Sequence, residues 1–266
     1  MKKLMLGNEA AARGLYEAGC ALISSYPGTP STEITERAAQ YDEIYCEWAP
    51  NEKVAMEVAF GAALAGKRSA CVMKHVGLNV AADPLFTIAY TGVNAGMVIC
   101  VADDPGMHSS QNEQDSRHYA VSAKIPMLEP ADSAEARDFA KRAFELSEEY
   151  DTPVFLKLCT RISHSQSIVE LGQRVEPARR PYEKDIAKYV MVPGNARPRH
   201  PIVEERTRRL TAFAETTDFN REEMGEDTSI GIITSSTSYQ YAREVFGPKA
   251  RSEEHTSELQ SLCCIS

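Results

Sequence analysis

Glu52-Lys53-Val54-Ala55-Met56-Glu57-Val58-Ala59-Phe60-Gly61-Ala62-Ala63-Leu64-Ala65-Gly66 opens on a carboxylate and continues almost entirely through small and apolar residues. Asn51, just before it, is a residue type that caps helices, and an acidic residue in the first turn complements the helix dipole, so the run reads as a helix starting at Glu52. Ala55, Ala59 and Ala63 fall four apart on one face with Gly61 and Ala62 beside them, which lets another surface come close to the backbone. A carboxylate at the edge of such a face is set to be buried, and burial favours the protonated form of a carboxylic acid. Taken alone, Glu52 reads as an ordinary first-turn glutamate.

On either side of this helix lie strand-like runs, Glu43–Trp48 and Ser69–Met73, and the alternation continues outward. Asn8–Ala18 has the pattern of an amphipathic helix closed by Gly19, and Ala21–Ser25 is an apolar strand leading into Pro27-Gly28-Thr29-Pro30. Ser31 is placed to cap the next helix, with Glu33 and Glu36 in its early turns. Gly96–Ala102, Pro126–Glu129 and Pro153–Leu158 read as further strands. Ala134–Tyr150 reads as a helix capped by Ser133, with Phe139, Ala143, Leu146 and Tyr150 on one side. Strands alternating with helices predict an α/β fold, a largely parallel sheet with helices on both faces. In such sheets ligands bind beyond the carboxyl ends of the strands. Thr29, Glu52, His75 and Asp104 each follow a predicted strand, so the pattern brings them to one edge.

From about Gln173 to Asp227 the composition shifts to Pro177, Pro181, Pro193, Pro198 and Pro201 among mixed charges. We read 173–227 as a linker, helical over Glu204–Ala214, and its basic cluster from Arg174 to Arg209 as a solvated surface. Ser229–Ser235 then reads as a strand and Ser238–Val245 as a helix, the start of a second α/β domain.

At 266 residues with 43% hydrophobic and 25% charged residues, the chain has the balance of a globular protein with ample length for a buried core. Its formal net charge of −9 argues against nucleic acid as a partner. No run approaches the roughly 20 apolar residues of a membrane span, and Met1-Lys2-Lys3-Leu4-Met5-Leu6 is interrupted too soon for a signal peptide. We therefore expect a cytoplasmic protein with no membrane partner. Cys20, Cys46, Cys71, Cys100 and Cys159 are scattered and form no C-x-x-C pair, which fits free thiols in a reducing compartment.

Three motifs carry a family resemblance. A glutamate followed nine residues on by Gly61-Ala62 in an alanine-rich helix is similar to the cofactor-activating helix of thiamine-diphosphate enzymes. In those enzymes the glutamate bonds the aminopyrimidine ring and drives its tautomerisation. Tyr26-Pro27-Gly28-Thr29-Pro30-Ser31 resembles the corresponding turn of 2-oxoacid:ferredoxin oxidoreductases, whose threonine borders the substrate. Met73-Lys74-His75-Val76-Gly77-Leu78-Asn79-Val80-Ala81-Ala82-Asp83-Pro84 and Ala102–Asp115 resemble the alpha subunit of the indolepyruvate branch of that family, and the likeness extends over about residues 1–250.

The resemblance implies that residues 1–172 are a pyrimidine-binding domain and that 228–250 begin a transketolase C-terminal-like domain. It implies Glu52 as the activating carboxylate, Thr29, His75 and Lys74 as substrate-binding residues, and Pro30, Gly77 and Asn79 as cofactor-binding residues. It implies thiamine diphosphate with Mg²⁺, the diphosphate and metal being held by a domain this chain lacks, and [4Fe-4S] clusters in a missing C-terminal region. It further implies a beta subunit, ferredoxin and coenzyme A as partners, an oligomer when full-length, and oxidative decarboxylation of aryl pyruvates to aryl-acetyl-CoA. Another 2-oxoacid as substrate, or a non-catalytic interaction module, stays open at this point. The chain alone has no Gly-Asp-Gly motif and is expected to be inactive.

Two further readings complete the expectations. Asp103, Asp104, His108, Glu113, Asp115 and His118 lack dependable metal-ligand spacing and read as an ordered loop at the active site or a subunit interface, with no metal. Arg251-Ser252-Glu253-Glu254-His255-Thr256-Ser257-Glu258-Leu259-Gln260-Ser261 reads as the in-frame translation of a sequencing-library adapter, so 251–266 are expected to be non-native. That stretch carries one Arg and three Glu, leaving −7 for residues 1–250.

Overall fold

The computed structural model describes residues 1–224, 227–247 and 250–254. The first part of the chain forms β1 (Lys2–Leu6), α1 (Gly7–Glu17), β2 (Leu22–Ser25), α2 (Thr32–Ala38), β3 (Tyr45–Trp48) and α3 (Glu52–Leu64). Then come β4 (Ser69–Lys74), α4 (His75–Val80), α5 (Ala82–Thr91), β5 (Met97–Asp103), α6 (Arg117–Ala123) and β6 (Met127–Leu128). After α7 (Ser133–Tyr150) follow β7 (Val154–Cys159), α8 (Thr160–His164), β8 (Gln166–Glu170), α9 (Ile186–Tyr189) and α10 (Pro193–Ala214). Last come β9 (Arg221–Glu223), β10 (Asp227–Thr234), α11 (Thr237–Phe246) and β11 (Ala250–Glu254).

Six of these strands form one sheet in the order β3-β2-β4-β5-β7-β6, every neighbouring pair parallel. The predicted α/β fold with helices on both faces is therefore present. Side-chain alternation divides the core in two. Ala70 and Val72 of β4, Val98, Cys100 and Ala102 of β5, and Val154, Leu156 and Leu158 of β7 pack with α1 and α7 on one face. Cys71 and Met73, Met97, Ile99 and Val101, and Phe155 face the other way, against α3 and α5. Because both faces are covered, the strands are apolar throughout rather than alternating in polarity.

Several local expectations are corrected. The cap of α7 is Asp132, whose carboxylate accepts from the Glu135 amide at 2.9 Å, and Ser133 is the first helical residue. Ser31 precedes α2 but donates its hydroxyl back to the Gly28 carbonyl at 2.8 Å instead of capping the helix. β1 and β8 pair antiparallel from Lys2↔Glu170 to Leu6↔Gln166, a small sheet the sequence reading did not foresee.

The basic segment is not simply solvated. Arg199 and Arg206 of α10 are buried, and α10 reaches back to Pro193, well before the predicted start at Glu204. Arg199 donates to the carbonyls of Tyr90 and Thr91, and Arg206 to those of Ala89 and Asp151. These are mostly the last carbonyls of α5, which have no partner within their own helix. A buried guanidinium satisfies several of them at once, and that requirement holds α10 against the body.

β10 and α11 lie where the strand Ser229–Ser235 and the helix Ser238–Val245 were expected. β11 includes Arg251–Glu254, pairing parallel with β10 and antiparallel with β9. A strand followed by a helix leaves unpaired backbone groups at the strand edge, and backbone pairing accepts almost any following segment of the right length. Residues 255–266 of the expected non-native tail lie outside the described residues. No described helix is long and apolar enough to cross a membrane.

Candidate active site

The carboxyl ends of β2, β3, β4, β5 and β7 put Tyr26–Ser31, Ala49–Glu52, Lys74–Gly77, Asp103–Asp104 and Thr160 along one edge of the sheet. Asn51 caps α3, its side-chain oxygen accepting from the Val54 amide at 3.0 Å, and so fixes where Glu52 enters the helix. Glu52 is buried, 8% exposed. Its carboxylate has no hydrogen-bond or ion-pair partner among the described residues. The small face of α3 is covered by the chain's own sheet: the Ser69 hydroxyl reaches the Ala59 carbonyl at 2.6 Å. Gly61 points the other way, with nothing within 4 Å of where a Cβ would stand.

Gly77, in the first turn of α4, lies directly on the Glu52 side chain. A Cβ added there would sit 2.5 Å from Oε1 and 2.8 Å from Cδ of Glu52, closer than real Cβ atoms come. His75, two residues earlier, is 1% exposed. Its Nε2 is 3.1 Å from the carbonyl oxygen of Asn112, while its Nδ1 is buried with no partner among the described residues. Lys74 donates to the Ser109 carbonyl at 2.9 Å, and its Cδ would stand 2.8 Å from a Cβ on Gly28. The turn after β2, the end of β4 and the loop after β5 thus meet at Lys74.

Thr29 is exposed on that turn, beside a cis bond to the buried Pro30, whose carbonyl accepts from Asn8 at 2.7 Å. Asn79 is exposed, with its oxygen accepting from the Tyr119 hydroxyl at 2.6 Å. The structure therefore joins Glu52 to Gly77 and Gly28 to Lys74 by direct contact, and links Asn79 to α6 by a hydrogen bond.

The sequence reading missed what anchors the loop after β5. Asp104 accepts from the Ser109 amide, the Ser110 hydroxyl and the Thr160 hydroxyl at 2.8, 2.7 and 2.6 Å. Burial pushes its carboxyl up, but those three hydrogen bonds and the Lys74 charge outweigh it and bring it down to about 2. Asp103 takes the amide and hydroxyl of Ser116 and lies 3.4 Å from the buried Lys157, which also meets Glu129 at 2.8 Å. Burial works against the Lys157 ammonium, yet Glu129 and Asp103 raise it above the ordinary lysine range. A lysine inside the otherwise apolar Val154–Cys159 strand is the signal that such partners exist. These carboxylates face cations and backbone donors, and no group of three or more His, Cys, Asp or Glu among the described residues is arranged to hold a metal ion.

Residues 13–229 match the family profile described as pyruvate flavodoxin/ferredoxin oxidoreductase, thiamine-diphosphate binding. The chain belongs to this oxidoreductase family. Among its relatives, indolepyruvate oxidoreductase subunit IorA of Archaeoglobus fulgidus is 45% identical over 252 residues, 91% of this chain and 40% of that protein. The Methanothermobacter marburgensis subunit of the same name is 48% identical over 243 residues, 89% of this chain and 39% of that protein. The chain thus spans about 40% of the length of these curated relatives. Its fold is that of the 2-oxoglutarate:ferredoxin oxidoreductase from Magnetococcus marinus, with a TM-score of 0.77 at 18% identity, covering 96% of this chain and 54% of that one.

Glu52, at this edge of the sheet, fits the cofactor for which the family profile is named. A buried glutamate whose carboxylate has no partner among the described residues is what the hydrogen-bonding edge of a heteroaromatic ring requires.

Proposed function

We propose that this chain is the cofactor-activating part of the alpha subunit of an indolepyruvate:ferredoxin oxidoreductase. The complete protein oxidatively decarboxylates aryl pyruvates to aryl-acetyl-CoA and passes the electrons to ferredoxin. The observation that carries the reading is the partnerless Glu52 carboxylate held against Gly77 at the carboxyl edge of the parallel sheet. When bound, thiamine diphosphate supplies the electron sink that decarboxylation of a 2-oxoacid needs.

In this reading Glu52 holds a proton on the ring edge that it faces and orients the ring. Gly77 leaves the space that the Glu52 side chain occupies, and Pro30, Gly77 and Asn79 border the ring. Thr29, Lys74 and His75 border the substrate, with the Lys74 ammonium facing its carboxylate. Lys74 is kept in place by the Ser109 carbonyl, so a carboxylate gains a cation that is already oriented.

Residues 1–172 then form the pyrimidine-binding domain, with 173–227 tying it to the start of a second domain at 228–250. Mg²⁺, the diphosphate and [4Fe-4S] clusters belong to the portion of the relatives' length that this chain does not span. A beta subunit completes an oligomeric, cytoplasmic enzyme. Coenzyme A as acyl acceptor is supported by the Magnetococcus marinus enzyme, whose structure has coenzyme A and succinyl-CoA bound.

The test is to assay the complete enzyme with coenzyme A and an artificial electron acceptor against indolepyruvate, pyruvate and 2-oxoglutarate. The expected result is the highest kcat/KM for indolepyruvate. A higher value for either of the other acids overturns the substrate assignment.

A further inference from the structure

Between α8 and the start of α11 lies a cleft of about 550 Å³, a size that suits a small organic molecule. Its walls include His108 from the loop after β5, Arg161 and His164 from α8, and Thr237 and Tyr241 from α11. No carboxylate lines it among the described residues, although the chain as a whole carries a net charge of −9. Arg161 and His164 stand three apart on α8 and so share a face. Arg161 is exposed and makes no hydrogen bond or ion pair with any described residue. Arg13, Arg68, Arg117 and Arg137, by contrast, each meet a carboxylate. Near His164 the Glu33 carboxylate is 3.7 Å away, and it also accepts from Asn8 at 2.9 Å.

We infer that this cleft binds the phosphoryl group of a small organic molecule, with Arg161 as its principal ligand and His108 and His164 beside it. The guanidinium presents a planar fork that engages two oxygens at once, and the hydroxyls of Ser165, Thr237 and Tyr241 add further donors. A carboxylate has two oxygens to offer such a set, and a phosphate monoester has three. The cleft is larger than a bare phosphate requires, which leaves room for the organic remainder. A neighbouring cleft of about 490 Å³ shares Pro105, Cys159 and Thr237 but is lined by Asp103, Glu113 and Asp115, so an anion entering here is directed to the Arg161 side. Both walls are fixed: Thr160 donates to Asp104 at 2.6 Å, and the Ser236 hydroxyl donates to the Pro130 carbonyl at 3.2 Å. The site goes beyond the function proposed above and does not depend on it.

Calorimetry on the complete enzyme with inorganic phosphate and with adenosine monophosphate tests the site, with adenosine as the probe lacking the phosphoryl group. The parent is expected to bind the two phosphates and not adenosine. Arg161→Gln should weaken that binding by about 10- to 100-fold, the worth of hydrogen bonds to a charged group. Arg161→Lys should recover part of it, since it restores the charge without the fork. Arg197→Gln removes the same charge from an exposed position of α10 outside the cleft and should bind like the parent. Coenzyme A displacing adenosine monophosphate identifies coenzyme A as the source of the phosphoryl group. Adenosine monophosphate that stays bound in its presence identifies a separate phosphorylated molecule.

A parent that binds neither phosphate, or an Arg161→Gln enzyme that binds them as the parent or the Arg197→Gln enzyme does, overturns the inference. The parent alone gives a second measurement that needs no variant to fold: bound phosphate should slow the modification of Arg161 by phenylglyoxal, read by mass spectrometry. Modification at the same rate with and without phosphate overturns the site. A parent that binds the phosphates but turns over no 2-oxoacid refutes the functional reading instead, which keeps the two failures apart.

Discussion

Gly77 of α4 and Glu52 at the start of α3 are in direct contact: a Cβ at position 77 would come within 2.5 Å of Oε1. The contact ties a backbone position to the one buried carboxylate on this edge that lacks a partner among the described residues. Gly77→Ala should therefore push the Glu52 side chain aside. The expected cost is about 1–3 kcal/mol of stability, typical of overpacking, with a large loss of activity in the complete enzyme. Urea denaturation together with the decarboxylation assay checks it, and a variant matching the parent in both shows that the site tolerates the Cβ.

Loop anchoring carries a pH signature. The Asp104 carboxyl is depressed from 3.8 to about 2, so its stabilisation of the loop is fully present above pH 4 and is lost as pH falls through about 2. Hydrogen exchange of residues 105–115 between pH 5 and 2 should rise in the parent relative to intrinsic rates. In Asp104→Asn those residues should already be poorly protected at pH 5 and change little below it. A parent loop whose protection is independent of pH over that range contradicts the anchor.

Arg206 tests the strap formed by α10. Burial pushes its guanidinium down to about 10, and its donors serve the Ala89 and Asp151 carbonyls at 2.6 and 2.9 Å. Arg206→Met leaves those carbonyls unsatisfied and should destabilise the chain by about 1–3 kcal/mol. Arg208, exposed in the same helix, should change stability by less than about 0.5 kcal/mol when replaced by Met. Chemical denaturation of the three proteins measures the difference, and equal midpoints would show that α10 is only a tether.

The parallel sheet was legible because buried strands such as Met97–Asp103 are apolar runs bounded by turns, and the strand-end rule led directly to Thr29, Glu52, His75 and Asp104. The β1–β8 pair was not, since each strand is short, largely exposed and paired with residues at the far end of the domain. Pro198 and Pro201 concealed the first half of α10, which the buried Arg199 anchors despite the backbone hydrogen bonds lost at proline. At the site, the strand-end rule brings Thr29, Glu52 and His75 to one edge but does not give the contact of Gly77 with Glu52 or of Lys74 with Gly28. Nor does it place the Asn112 and Ser109 carbonyls, because any residue supplies a backbone carbonyl and only the folded loop says where it points.

The central claim is that Glu52 is the carboxylate that acts on the cofactor ring, and hydrogen–deuterium exchange at C2 of bound thiamine diphosphate in the complete enzyme tests it most directly. Glu57 is the internal control, five residues along the same helix and so about 140 degrees round it, and exposed. Glu52→Gln preserves size while removing the ionisable group, so exchange should slow by about 100- to 10,000-fold, the range of a positioned acid–base group. Glu57→Gln should exchange at the parent rate. Exchange in Glu52→Gln as fast as in the parent, or slower exchange in Glu57→Gln than in Glu52→Gln, would contradict the assignment.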